Sequence, residues 1–314
     1  MVRAVPVQHR RGLVLIGGGG TAACAAPRAG GLARHHGRMP ELPEVESVRR
    51  QLAPRLEGRR IEAVHAAPQA RFDDVDEAAG RRVHVLRRRG KYLIAELEGG
   101  LELVMHLGMT GSFRFRGDPW PAPGGESRPW GGDAYVRATF TLDDGVLDFR
   151  DVRRFGRLSV VPAGEYAGIE TLAKLGPEPL SEAFDPGGFA RALAGTSTMV
   201  KPYLLSQRPV AGVGNIYADE ALWRARIHPC ARAVGPRRAR ALWQAIREVL
   251  AESVEREGTT FRDYLMVNGE SGRNAAFLVA YGQAGRPCPR CATPLRKTVV
   301  AGRGTTYCPR CQRH

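Results

Sequence analysis

The chain has 314 residues, 43% of them hydrophobic and 25% charged, the balance of a soluble globular protein with length for two domains. That composition excludes a wholly disordered chain, a collagen and a small cysteine-rich secreted scaffold, and no apolar run reaches the ~18 residues of a membrane span. Lys+Arg 47 against Asp+Glu 32 gives +15, which favours a polyanionic partner, nucleic acid ahead of an anionic membrane surface.

Four lysines (Lys91, Lys174, Lys201 and Lys297) stand among forty-three arginines. Such a bias belongs to base composition rather than function, but a lysine can give up a proton where an arginine cannot. Each one in a suggestive place therefore merits attention.

Residues 1–38 hold six arginines, no acidic residue and abundant glycine and alanine. Gly17-Gly18-Gly19-Gly20 imitates a dinucleotide-binding turn but has no amphipathic helix after it. The same glycines interrupt the apolar core of a signal peptide. The segment reads as a disordered tail or as the product of a start assigned too far upstream, and the charge excess survives without it.

From Pro40 the pattern becomes regular. Pro40-Glu41-Leu42-Pro43-Glu44-Val45-Glu46 opens a helix with Pro43 in its first turn and Val45, Val48, Leu52 and Leu56 as its buried stripe. The period then changes to two, with strands expected at 82–85, 91–95, 101–106, 112–116, 135–142 and 146–149. Asp143-Asp144-Gly145 marks a hairpin. Many short strands suggest a β-sandwich, and Gly117–Asp133 reads as a surface loop. Residues 169–286 turn helical, most clearly at Asn215–Ile227 and Pro236–Glu257. The turn Val210-Ala211-Gly212-Val213-Gly214 feeds the first of these, and its N–H groups could hold a phosphate with help from Asn215, or simply form a packing corner.

Cys288-Pro289-Arg290-Cys291 and Cys308-Pro309-Arg310-Cys311 form two matched knuckles. Their spacing fits a closed tetrahedral zinc site of four cysteines, structural because no coordination position is left open. Two disulfides or a redox pair are the alternatives. Cys24 and Cys230 read as bystanders, Cys230 as packing. Arg303, beside Gly302 and Gly304 at the expected hairpin tip, is placed to enter a nucleic-acid groove, whereas Arg296 and Lys297 read as solvated charge.

Met39-Pro40-Glu41-Leu42-Pro43-Glu44-Val45-Glu46, Gly212-Val213-Gly214-Asn215-Ile216-Tyr217-Ala218 and the terminal cysteines occur together and in this order. So do Arg89-Gly90-Lys91-Tyr92-Leu93, Met105-His106-Leu107-Gly108-Met109-Thr110-Gly111, Asp151-Val152-Arg153-Arg154-Phe155-Gly156 and Leu175-Gly176-Pro177-Glu178-Pro179-Leu180. From residue 39 onward the chain resembles the formamidopyrimidine-DNA glycosylases, the bacterial base-excision repair family shared with endonuclease VIII. The resemblance implies an α+β fold of two domains. These are an N-terminal helix with a β-sandwich (39–168) and a helix-two-turn-helix domain (169–286), which ends in a zinc finger (287–314).

It also implies a cytoplasmic, nucleoid-associated monomer that binds damaged double-stranded DNA in the cleft between the lobes, with one structural Zn2+ and the target nucleotide flipped out. Pro40, exposed as the chain terminus by initiation at Met39 or by processing, would be the nucleophile. A secondary amine forms an iminium without a further proton, and that electron sink drives β,δ-elimination. Glu41 would be the general acid, Lys91 would contact phosphate and assist elimination, and Arg303 would aid the second elimination. Met109, Arg153 and Phe155 would fill the gap left by the flipped base, while His106, Lys201 and Asn215 would hold DNA.

Three departures stand out. Gly272-Arg273-Asn274 replaces the family's usual Gly-Tyr-Phe, Gly195-Thr196-Ser197-Thr198 replaces a lysine-rich stretch, and Asp133 stands where some members carry a DNA-binding histidine. The first bears on lesion preference, so an endonuclease VIII-like pyrimidine specificity is the nearby alternative. A catalytically silent DNA-binding paralogue is the reading from another class.

Overall fold

The structure is a computed structural model that describes residues 39–118, 133–259 and 266–314. The tail 1–38 and almost all of the loop Gly117–Asp133 lie outside these residues. Helix α1 (Leu42–Leu56) begins where expected, because Pro43 sets the backbone of its first turn and the Glu41 N–H donates to Glu44 Oε2 at 2.8 Å. Val45, Val48, Leu52 and Leu56 are each no more than 3% exposed, the 3.6-residue stripe of a helix covering a core.

Strands β1 (Ile61–Ala66), β2 (Phe72–Asp73), β3 (Val83–Arg89), β4 (Tyr92–Leu97), β5 (Leu101–His106), β6 (Gly111–Phe115), β7 (Val136–Leu142), β8 (Gly145–Asp151) and β9 (Arg157–Pro162) follow. They form one sheet in the order β1-β7-β8-β6 and a second in the order β2-β9-β5-β4-β3. Phe113, Phe140 and Phe149 of the first pack with Leu93, Met105 and Leu158 of the second, the expected sandwich. β7 and β8 turn through Asp143-Asp144 with Leu142 opposite Gly145, whose φ of 123° suits glycine. β1, β2 and β9 were not anticipated. In β1 only Ile61 is buried, so an edge strand with one anchored side chain leaves almost no alternation to read.

The second lobe holds α2 (Glu170–Ala173), α3 (Pro186–Ala194), α4 (Val200–Leu205), α5 (Asn215–Arg224) and α6 (Pro236–Glu255), then the hairpin β10 (Arg296–Val300) and β11 (Arg303–Tyr307). Both long helices stop two or three residues before their expected ends, where Arg226 (φ 59°) and Glu257 (φ 61°) turn left-handed. Val213, Ile216 and Leu222 pack on Leu242, Ile246 and Leu250.

The lobes share α1. Leu42 is buried in the helical core, whereas Val45, one turn on, belongs to the sandwich core. At Gly212 (φ 79°) a Cβ would sit 2.6 Å from that of Leu42. This close approach seats Pro40 and Glu41 in the seam between the lobes.

Candidate active site

Glu41 is 3% exposed, with its carboxylate at the N-terminal end of α5. Gly214 N–H donates to Oε2 at 2.7 Å, Ile216 N–H to Oε1 at 2.8 Å and Tyr217 N–H to Oε2 at 3.3 Å. The glycine turn is therefore an anion site, but the anion it holds is the chain's own carboxylate rather than a phosphate. That corrects the expectation for the turn. A Cβ on Gly214 would lie 2.6 Å from Glu41 Oε1, so glycine is needed for the approach. Burial pushes the Glu41 carboxyl above its ordinary 4.5, against the pull of Lys91 and the three N–H donors.

Glu44 lies behind it, at 2% exposure. It accepts from Tyr217 Oη–H at 2.5 Å and from Thr259 N–H at 2.6 Å. Burial first, and the neighbouring Glu41 charge second, raise its carboxyl to about 7. Composition and periodicity gave Glu44 only a helix-start role; its partners come from the far lobe.

Pro40 is buried beside Glu41. Lys91, on the β3–β4 turn, is 6% exposed. Burial lowers its ammonium below the ordinary 10.5, opposed by the charges of Glu41 and Glu44 and aided by that of Arg303. Gly90, at φ 57°, brings this turn against Ala211 and Gly212. Glu178 fixes it there, accepting from Gly90 N–H at 2.5 Å, from Arg88 at 2.8 Å and from Arg89 at 3.1 Å.

Met109 and the Arg153–Phe155 pair lie on two loops in contact. A Cβ on Gly108 (φ 64°) would reach 2.5 Å from the Phe155 carbonyl carbon. Asp151, fully buried, ties both loops: Oδ1 accepts from Thr110 Oγ1 at 2.6 Å and Arg153 N–H at 3.1 Å, and Oδ2 from Gly156 N–H at 2.7 Å. Phe155 is 41% exposed beneath the Arg153 guanidinium and Met109 is half-buried. His106 Nδ1 accepts from Gly108 N–H at 3.0 Å, which leaves the ring proton on Nε2. Burial, then Lys91, Arg71 and Arg157, push this imidazole down to about 3, so it is a neutral donor. Asp133 accepts from Arg150 at 2.7 Å.

The cysteine hairpin runs back along α5. Asn215 Nδ2 donates to Gly304 O at 3.0 Å, and Asp219 Oδ2 accepts from Thr306 N–H at 2.9 Å one turn later. Exposed Arg303 therefore lies at the N-terminal end of α5, beside the Glu41 cradle. Lys201 is placed otherwise than expected. It is fully buried, with Nζ 2.6 Å from Asp219 Oδ1 and 2.7 Å from Thr305 Oγ1. Its ammonium braces the hairpin and does not face a nucleic-acid surface. In the departing segment, Asn274 is buried and donates to Thr259 Oγ1 at 2.9 Å, while exposed Arg273 lies 3.5 Å from Glu257.

The Sγ atoms of Cys288, Cys291, Cys308 and Cys311 lie within 4.8 Å of one another. Cys288–Cys311 is 4.0 Å and Cys291–Cys308 3.5 Å, bracketing the edge of about 3.8 Å of a tetrahedron with ~2.3 Å metal–sulfur bonds. The geometry fits a bound metal with four thiolate ligands. Cys230 is buried with Met199 and Val300 and is disulfide-bonded, so it is not the packing bystander expected; Cys24 lies outside the described residues.

Fold and site together define a two-domain α+β protein with acid, amine and arginine at the lobe seam and a metal-type cysteine finger that reaches them. The profile of the Formamidopyrimidine-DNA glycosylase N-terminal domain matches residues 39–158, that of the Formamidopyrimidine-DNA glycosylase H2TH domain residues 175–264, and that of a zinc finger found in FPG and IleRS residues 285–313. The formamidopyrimidine-DNA glycosylase of Thermus thermophilus is 48% identical, covering 87% of this chain and 98% of that relative. The crystal structure of the MutM (FPG) protein from Thermus thermophilus superposes with a TM-score of 0.79 at 47% identity, over 87% of this chain and 98% of that one. A Lactococcus lactis FPG mutant in complex with Fapy-dG-containing DNA gives 0.77 at 35%, over 88% and 100%. The chain belongs to the formamidopyrimidine-DNA glycosylase family.

Proposed function

We propose that this chain is a bifunctional DNA glycosylase and abasic-site lyase of base-excision repair, acting as a monomer on oxidised or ring-opened purines in double-stranded DNA. The mature chain starts at Pro40, since the family match opens at residue 39 and a proline nitrogen inside a longer chain is a tertiary amide without nucleophilicity. In the mature form the neutral secondary amine attacks C1′ of the flipped nucleotide. Glu41, whose carboxyl burial shifts upward, acts as the general acid and gives a proton to the sugar ring oxygen as the ring opens and the base departs. The resulting iminium acidifies C2′, and elimination expels the 3′ phosphate and then the 5′ phosphate, with Lys91 and Arg303 at the leaving oxygens.

His106 and Asn215 hold flanking phosphates, and Met109, Arg153 and Phe155 take the space of the extruded base. In this reading the segments 1–38, 39–168, 169–286 and 287–314 are a disordered tail or a start assigned too far upstream, the catalytic sandwich, the helix-two-turn-helix DNA-binding domain and the finger. One zinc ion held by the four cysteines fixes the finger and leaves no open position for catalysis. The proposed location is the bacterial cytoplasm, on the nucleoid; no helix among the described residues is long and apolar enough to cross a membrane.

The observation that carries this reading is the convergence of Pro40, Glu41, Lys91 and Arg303 at one end of α5. Its test is borohydride trapping on abasic DNA with protein produced to begin at Pro40. A covalent adduct is expected, and Pro40→Gly should weaken it. A correctly matured, metal-loaded chain that binds DNA and yields no adduct would leave only the silent binder. Excision from a panel of lesion duplexes then separates purine from pyrimidine preference.

A further inference from the structure

α5 ends at Arg224, ten residues or about 15 Å along the axis from the Glu41 cradle. There a cavity of about 840 Å³ opens between the helix end, the first turn of α6 and the root of the cysteine finger. Arg226, Arg238, Arg290, Arg310, Arg313 and His314 line it, and among the described residues no Asp or Glu side chain does. Arg290 donates to the carbonyls of Trp223 and Arg224 at 2.7 and 2.9 Å with its guanidinium 4.0 Å over the Trp223 ring. Arg238 donates to the Arg313 carbonyl at 2.7 Å. Two forks are thus fixed on backbone, while Arg226, Arg310 and Arg313 are exposed.

The net negative charge that a four-thiolate metal centre would carry offsets part of this charge, but the five guanidiniums exceed it. Like charges gathered in one concavity repel, and an anion relieves that repulsion. The tail 1–38 cannot supply it, having six arginines and no acidic residue. Guanidinium forks match paired phosphate oxygens, and DNA is the polyanion present in a solved complex of this family.

We propose that this cavity is a second DNA site, which takes the phosphodiester backbone of a segment outside the catalytic cleft. A molecule engaged on one stretch of DNA then holds another, as in transfer between segments.

The test immobilises a short duplex with a non-cleavable abasic analogue, loads the metal-bound mature chain onto it, and adds a labelled undamaged duplex. Wild-type protein captures the second duplex. The Arg226→Ser/Arg310→Ser/Arg313→Ser variant should lose at least tenfold of that capture while retaining the first duplex within twofold. Because Arg310 and Arg313 flank metal ligands, Arg226→Glu alone supplies the same reading from outside the knuckles. No capture by wild-type protein, capture at the wild-type level by both variants, or displacement of the label by polyglutamate but not by unlabelled duplex would overturn the proposal. The last result would assign the cavity to an acidic protein segment. If the first duplex is not held, the glycosylase reading fails instead, and the second site is still read from plain-duplex binding by wild type and variants.

Discussion

A carboxylate that accepts three N–H bonds at a helix N-terminus would ordinarily be a strong acid. Glu41 is not, because its removal from water outweighs those donors and the Lys91 charge. The proposed acid role requires a proton on this carboxyl, and burial shifts the equilibrium toward it. Glu41→Gln preserves shape and removes that proton, so single-turnover base release should slow by about a hundredfold or more with duplex affinity nearly unchanged. Excision at the wild-type rate would disprove the acid assignment.

Glu44 makes a separate prediction. Its folded carboxyl titrates at about 7 against 4.5 ordinarily. Between those values the folded state holds a proton that the unfolded chain has lost, so stability falls as pH rises through the window. The loss is on the order of 2–3 kcal/mol, and below 4.5 both states are protonated and the slope vanishes. Melts at pH 5 and pH 8 should differ more for wild type than for Glu44→Gln; an equal difference would clear Glu44 of that role.

At the scale of elements, the turn before α5 matters through what it lacks. Gly214 has an ordinary extended backbone (φ −126°), so alanine is permitted there by the chain and forbidden only by Glu41. Gly214→Ala should therefore displace the carboxylate, cutting base release by at least tenfold and stability by about 1–3 kcal/mol. If the variant melts and excises like wild type, the cradle tolerates a methyl group and does not fix Glu41. The glycine-turn motif was plain in the sequence, but which anion it held was not, since Glu41 lies 173 residues away from Gly214. Lys201 illustrates the same limit. A lysine in a basic chain suggests a phosphate, and only the packing of α4, α5 and β11 reveals Asp219 and Thr305 around it.

At the scale of the molecule, the finger and the sandwich meet through α5. The knuckle Arg290 holds the helix's C-terminal carbonyls, Asp219 and Asn215 hold the hairpin along its length, and Arg303 arrives beside Lys91. Stripping the metal with a chelator should release this register. We expect DNA affinity to fall at least tenfold and zinc repletion to restore it, read by anisotropy with the metal measured in parallel. Unchanged affinity in metal-free protein would mean that the finger does not position Arg303.

The sequence by itself determined the helix at Pro43, six strands of the sandwich, the two long helices, the cysteine quartet and the family, because these signals are periodic or local. The tertiary structure alone decided that the glycine turn embraces Glu41, that Glu44 shares Tyr217 and Thr259, that Asp151 joins two loops and that Lys201 is buried. Each of these is a contact between residues far apart in the chain. Its energy comes from desolvation and hydrogen-bond geometry, which do not exist until the lobes have packed together.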